Sequence, residues 1–156
     1  MSDVEHTTFT IERALPGSPR HAFRFWSEKA LKRRWTDCHP AWTVLEDRFD
    51  FVAGGEEAVR WRTAEGIEQT FTARYLDIVS GQRIIYAFEM SSAGRRVSAS
   101  LATVELRPGG SGTRMLYTEQ MAFLAGAEAM KMRIAGTGTG FDRLFDAIAM
   151  DGAGVH

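Results

Sequence analysis

Hydrophobic and polar residues alternate over much of this chain, and a period of two indicates β-strands. The pattern is clearest in residues 112–123, where one face carries Met115, Tyr117, Glu119, Met121 and Phe123. Glu119 therefore places a carboxylate on an otherwise apolar face. We expect it to orient a ligand in a cavity, to be structural or water-exposed, or to act as an acid or base.

Other strands follow from the same alternation. Residues 7–14 predict a first strand with Phe9 and Ile11 inward. From Trp42 to Phe123, alternating segments are separated by short turns such as Gly54-Gly55 and Ser80-Gly81. Short turns between consecutive strands predict an antiparallel meander.

Two short helices are predicted after the first strand. Ser18 followed by Pro19 is a helix start, with a cap residue and a proline at the first helical position. A second helix is expected to place Leu31 and Trp35 on one face. The run Lys32 to Arg34 in that helix is interpreted as a solvated face.

A long final helix is predicted over residues 126–149, although three glycines lie between 136 and 140. One side of this helix would carry an apolar stripe that runs through the glycines, formed by Met130, Ile134, Phe141, Leu144, Phe145 and Ile148. Thr137 takes the position on that side where an apolar residue is missing. Each glycine costs about 1 kcal/mol relative to alanine in a helix. The alternative is a helix that begins after the glycines, with Thr139 as its cap. We favour the continuous helix, bent or loosened at the glycines.

These elements predict an α+β fold, because a sheet with one apolar face needs a cover and the last helix can supply it. The 156 residues suit one domain, with a core from about 7 to 149. A net charge of -1 argues against a nucleic-acid or anionic-membrane partner. A single cysteine, no signal peptide and no apolar stretch long enough for a membrane span favour a cytoplasmic protein.

Three motifs carry a family resemblance: F-R-F-W-S from Phe23, R-Y-L-D-I-V-S-G-Q-R-I-I-Y from Arg74, and V-S-A-S-L-A-T-V-E-L-R-P-G-G-S-G-T-R from Val97. Their order and spacing resemble the START-like (SRPBCC) superfamily over about residues 7 to 149. Within it, they resemble the branch of the C-terminal domain of the Hsp90 ATPase activator and of small bacterial proteins implicated in enediyne self-resistance.

The resemblance implies a helix-grip fold, in which a curved antiparallel sheet surrounds the C-terminal helix. It also implies an apolar cavity between them for lipids, polyketides or other hydrophobic small molecules. This branch commonly has a histidine where this chain has Glu119, and a tryptophan after glycine where this chain has Phe141 after Gly140.

The candidate ligand-binding residues are mostly aromatic, as is common in pockets for small molecules. They are Trp35, Trp42, Trp61, Phe71, Tyr75, Tyr86, Phe88, Tyr117, Glu119, Met121, Phe141 and Phe145. Met130 and Met132 are expected to add adaptable walls. Arg74 and Arg83 are the candidate partners of Glu119, which is also the weak candidate for a catalytic residue.

Two further motifs are interpreted as structural. The segment GTGTGF lacks the preceding strand that a phosphate-binding loop requires. Cys38-His39 has no metal-ligand spacing to the other histidines, and no base is marked for the thiol. No metal and no cofactor are expected.

Three functions remain open. The favoured one is binding of a hydrophobic small molecule in a closed cavity, for transport, sequestration or protection, by a monomer or homodimer. The second is an enzyme of the cyclase, dehydratase or hydrolase type that uses the same cavity. The third is a co-chaperone-like module with a filled core and an exposed apolar patch.

Overall fold

The computed structural model describes residues 3–36 and 39–153, which form seven strands and three helices. Their order along the chain is β1 (Glu5–Leu15), α1 (Pro19–Ser27), α2 (Lys29–Thr36), β2 (Thr43–Phe49), β3 (Glu56–Arg62), β4 (Glu68–Val79), β5 (Arg83–Ser92), β6 (Arg95–Gly109), β7 (Gly112–Phe123) and α3 (Ala127–Ala153). This order confirms the predicted α+β fold.

All strands belong to one antiparallel sheet, in the order β1-β7-β6-β5-β4-β3-β2. Strands β2 to β7 are a meander, and β1 pairs with β7 at the far edge. Register shifts interrupt the pairing of β2 with β3, of β4 with β5 and of β5 with β6. Because such bulges bend a strand and increase its twist, they help the sheet to curve around the helix, as predicted.

The inner face of β7 is buried along its whole length, as its alternation predicts. Met115, Tyr117, Glu119, Met121 and Phe123 are each at most 3% exposed. The predicted caps of α1 are also present: the Ser18 hydroxyl accepts from the backbone N–H of His21, and Pro19 opens the helix.

Helix α3 runs without interruption through its glycines, which confirms the favoured prediction. The Thr137 and Thr139 hydroxyls donate to the carbonyls of Arg133 and Ala135, four residues earlier. Arg13 of β1 donates to the carbonyl of Gly138. The two threonine hydroxyls thus bond within the helix, and Arg13 links its glycine-rich part to the edge of the sheet.

The buried face of α3 differs from the predicted stripe in one place. Phe141, Leu144 and Ile148 are buried, but Phe145 is 41% exposed. A helix turns 100° per residue, so Phe145 lies beyond the edge of the face that Phe141 and Leu144 bury.

Candidate functional site: a cavity between the sheet and the C-terminal helix

A cavity of about 380 Å³ lies between α3, α2 and the inner face of the sheet. Its wall is formed by Trp26, Lys32, Arg33, Trp35, Thr36, His39, Trp42, Val44, Asp47, Glu57, Val59, Trp61, Phe71, Tyr86, Phe88, Met90, Tyr117, Glu119, Arg133, Gly136, Thr137, Gly140 and Phe141. Thr36, His39, Val44 and Gly136 are exposed, so the cavity reaches the surface on that side. The prediction of a closed cavity is therefore wrong.

Most of the predicted ligand-binding residues lie on this wall: Trp35, Trp42, Trp61, Phe71, Tyr86, Phe88, Tyr117, Glu119 and Phe141. The structure does not bring Tyr75, Met121 and Phe145 to the cavity. Tyr75 binds a buried ion pair through its hydroxyl, Met121 is buried elsewhere, and Phe145 faces outward. Met132 is 76% exposed and forms no wall.

Aromatic rings contact one another around the cavity. At its inner end, Trp26 and Trp35 meet edge to face with centroids 4.8 Å apart, and Phe141 meets Tyr117 at 4.9 Å. Towards the surface, the rings of His39, Trp42 and Trp61 lie nearly parallel, with successive centroids 4.7 and 5.8 Å apart. The cavity therefore has walls of flat, apolar surface.

The first buried ion cluster lies where α2 meets β3. The Lys32 ammonium contacts Glu57 Oε1 at 2.6 Å and donates to the Tyr75 hydroxyl at 3.1 Å. The Arg33 guanidinium contacts the other Glu57 oxygen at 2.8 Å and also contacts Asp47 at 2.7 Å. Burial raises the pKa of Glu57, but Lys32 and Arg33 outweigh it and hold that pKa below its ordinary value. Glu57 is therefore a carboxylate at neutral pH.

The interpretation of Lys32 to Arg34 as a solvated face is thus wrong for its first two residues. Lys32 is 4% exposed, and the side chain of Arg33 is 13% exposed. The Lys32 ammonium also lies 5.2 Å from the Phe49 ring centroid, close enough for a cation–π contact. Only Arg34, which reaches Asp151 at 3.3 Å, is on the exposed side.

The second ion cluster surrounds Glu119. One carboxylate oxygen accepts from Tyr117 at 2.6 Å, and the other from Ser100 at 2.7 Å and from Arg133 of α3 at 2.9 Å. Arg133 lies over the Phe88 ring and also donates to Thr137. Glu119 is 0% exposed, so its oxygens present no surface to a molecule in the cavity. Its hydrogen bonds link Arg133 of the helix to Tyr117 and Ser100 of the sheet.

The predicted partners of Glu119 are wrong. Arg74 is exposed because it alternates with the buried residues Ala73 and Tyr75 and so faces outward. Arg83 pairs with Asp77 at 2.6 Å at the start of β5. The partner, Arg133, comes from the helix instead.

The residues that the sequence reasoning missed are Lys32, Arg33, Glu57 and Arg133. Two of them carried a usable signal. Glu57 is two and four residues from Val59 and Trp61, so it shares their inner face. Arg133 precedes Thr137 by four residues and Phe141 by eight, which places it on the apolar stripe of α3.

All three tyrosines of the chain are buried, and we expect them to resist alkaline titration. Burial is the main reason that the pKa of each tyrosine lies above its usual value. A neighbouring group raises each pKa further: Glu57 for Tyr75, Glu119 for Tyr86, and Tyr86 for Tyr117. Phenolate absorbance near 295 nm should be absent from the folded protein about one pH unit above the ordinary value of about 10. In concentrated guanidinium chloride, the three phenols should titrate near that value.

The same shifts couple the tyrosines to stability. Because the pKa of each phenol is higher in the folded state, its contribution to stability is fully present below the unfolded-state pKa. That contribution is lost as the pH rises from the unfolded-state pKa through the folded-state pKa. Phenolate should therefore appear together with loss of the far-ultraviolet circular dichroism signal. Titration of even one tyrosine near its ordinary pKa in the folded protein would contradict the burial.

Metal binding and thiol chemistry have no support in the part of the chain that the structure describes. Within residues 3–36 and 39–153, no three His, Cys, Asp or Glu side chains converge on a metal position. Cys38 lies outside the described residues, whereas His39 is exposed and stacks on Trp42. Among those same ranges, no helix is long and apolar enough to cross a membrane.

The sequence matches a family model over residues 16–150, described as Activator of Hsp90 ATPase homolog 1-like protein. A protein from Rhizobium loti is 42% identical, with 92% of this chain and 98% of that chain covered and a TM-score of 0.85. An uncharacterised protein from Rhizobium leguminosarum is 39% identical, with coverage of 94% and 97% and a TM-score of 0.88.

A more distant structure shares the fold. The AHSA1-like protein from Aeromonas hydrophila is 17% identical, with 96% of this chain and 97% of that chain covered and a TM-score of 0.73. Among curated proteins, none matches the sequence.

Proposed function

We propose that this chain, which belongs to the family of Activator of Hsp90 ATPase homolog 1-like proteins, binds an apolar, ring-containing small molecule between the sheet and α3. The family assignment confirms the resemblance to the START-like superfamily. The function of transport, sequestration or protection is our inference from the cavity.

The observation that carries the proposal is the cavity itself. Its volume of about 380 Å³ lies in the range of small-molecule sites, about 300–1,000 Å³. Its wall is predominantly aromatic, with a few polar groups, and that composition is typical of such sites. A partner-binding module has no need of this space, because a filled core would be more stable.

We favour binding over catalysis because of how Glu119 is used. A general base needs a free lone pair within hydrogen-bonding reach of the substrate proton. Both Glu119 oxygens accept hydrogen bonds from protein groups, and the residue has no exposed surface. Glu57 is enclosed in the same way by Lys32, Arg33 and Tyr75.

The proposal is tested by native mass spectrometry of the protein isolated from the cells that naturally make it. We expect a noncovalent adduct of an apolar compound on the wild-type chain. The matched variants are Gly136→Leu, on the cavity wall, and Gly152→Leu, on the same helix but off the wall. A Cβ at either glycine meets no atom within 4 Å, so both variants should fold.

The two variants should differ in the bound compound. Leucine at position 136 fills part of the cavity and should remove the adduct, whereas leucine at position 152 should leave it. Leucine is also a better helix former than glycine, so loss of the adduct would not reflect a weakened helix. A bare chain in the wild type, or an adduct that survives in Gly136→Leu, would contradict the proposal.

A further inference from the structure

The charged groups on the cavity wall balance one another. The wall carries as many cationic as anionic side chains, namely Lys32, Arg33 and Arg133 against Asp47, Glu57 and Glu119. Each of them has an oppositely charged partner within that same set. No net charge is left on the wall to attract an ion.

The pairs are also poorly accessible. The side chains of Lys32, Glu57 and Glu119 are at most 5% exposed, and that of Arg133 is 16% exposed. Phe88 and Thr137 further enclose Arg133. An anionic ligand would have to draw Arg133 away from Glu119, which would leave a carboxylate without its counter-ion in the core. Removing one partner from a buried pair is strongly unfavourable.

A cationic ligand meets the corresponding difficulty. Glu57 accepts from Lys32, Arg33 and Tyr75, and Glu119 accepts from Arg133, Tyr117 and Ser100. Asp47, the most exposed of the three carboxylates, is bound by Arg33 through three contacts of 2.7 to 3.1 Å. A cation in the cavity would therefore lose water without gaining a free carboxylate.

The size of the cavity and the residues of its wall further restrict the class of ligand that it can hold. An engineered apolar cavity of about 150 Å³ holds benzene, so about 380 Å³ suits two or three fused rings. The nearly parallel rings of Trp42 and Trp61 offer flat faces, and Met90 adds a polarizable contact.

We infer that the ligand is an uncharged, planar compound of two or three fused rings. This inference rests on the proposed function and specifies its ligand class. The ligand replaces water against the aromatic wall and leaves both ion clusters intact.

The test compares three probes with one ring system: methyl 2-naphthoate, 2-naphthoate and 2-naphthylmethylammonium. Isothermal titration calorimetry at neutral pH should show that the neutral ester binds at least about tenfold more tightly than either ion, since an unpaired buried charge costs more than the corresponding free energy. In Gly136→Leu the ester should no longer bind, and in Gly152→Leu its affinity should be unchanged.

The other outcomes overturn the inference. Tighter or equal binding of 2-naphthoate would show that Arg133 is free to accept an anion, and equal binding of the ammonium would show an available carboxylate. Absence of binding by the ester would exclude this ligand class. None of these results decides the proposed function, which fails if the naturally produced protein carries no bound compound or if the adduct survives in Gly136→Leu.

Discussion

Replacing Glu57 by glutamine should lower the free energy of unfolding by about 3–5 kcal/mol, the cost typical of breaking a buried ion pair. The substitution keeps the shape of the side chain but leaves the Lys32 ammonium, 4% exposed, with the Tyr75 hydroxyl and a neutral amide. Burial lowers the pKa of Lys32, and losing Glu57 removes the attraction that opposes this shift. Urea denaturation at neutral pH measures the effect.

Two further variants show whether the cost comes from the unpaired charge. Lys32→Met in the Glu57→Gln background should recover most of the lost stability, because Arg33 still has Asp47 as its partner. Glu46→Gln removes a carboxylate from an exposed pair with Arg48 and should cost less than about 1 kcal/mol. An equal cost for Glu57→Gln and Glu46→Gln would contradict the burial of the cluster.

The second large effect is expected at Arg133. Arg133→Met leaves the Glu119 carboxylate, 0% exposed, with only the Tyr117 and Ser100 hydroxyls, and should cost about 3–5 kcal/mol. Glu119→Gln added to this variant removes the unpaired charge and should restore part of the stability. Equilibrium denaturation of the single and double variants forms a double-mutant cycle.

Lys131 provides the matched control on the same helix. Its side chain is 71% exposed and contacts Glu128 at 3.6 Å, three residues earlier. Lys131→Met should therefore change stability by less than about 0.5 kcal/mol. If Arg133→Met were as mild as Lys131→Met, the ion pair would not tie the helix to the sheet.

The fold was largely predictable because its strongest signals are local. Alternation along β7 placed Glu119 on the buried face, and the stripe from Met130 to Ile148 carried α3 through its glycines. Phe145 was misplaced because a stripe read along the sequence fixes which residues share a side but not how wide the buried side is. That width depends on how the sheet curves around the helix.

The polar part of the site was less predictable because its contacts join distant segments. Lys32 and Glu57 are 25 residues apart in sequence, and their pairing depends on how α2 packs over β3. A lysine in a basic run is usually solvated, so the sequence favoured the wrong environment. Arg133 was not predicted because the candidate partners of Glu119, Arg74 and Arg83, lie on strands, whereas the helix packed across the sheet supplies the guanidinium.

The two ion clusters, the aromatic rings and the glycines of α3 all border the cavity. The ion clusters at α2–β3 and at β7–α3 satisfy their own charges, and the aromatic rings between them leave open space. Gly136 and Gly140 form part of the wall on α3, where side chains would reduce that space. The arrangement therefore suits an uncharged aromatic guest.

The most direct test is a crystal structure of the protein grown with methyl 2-naphthoate. The account predicts ring density in the cavity between the sheet and α3, in contact with Trp61 and Phe88. The Lys32–Glu57 and Glu119–Arg133 pairs should remain intact. Density for the probe only on the outer surface, or a cavity closed by the surrounding side chains, would contradict the account.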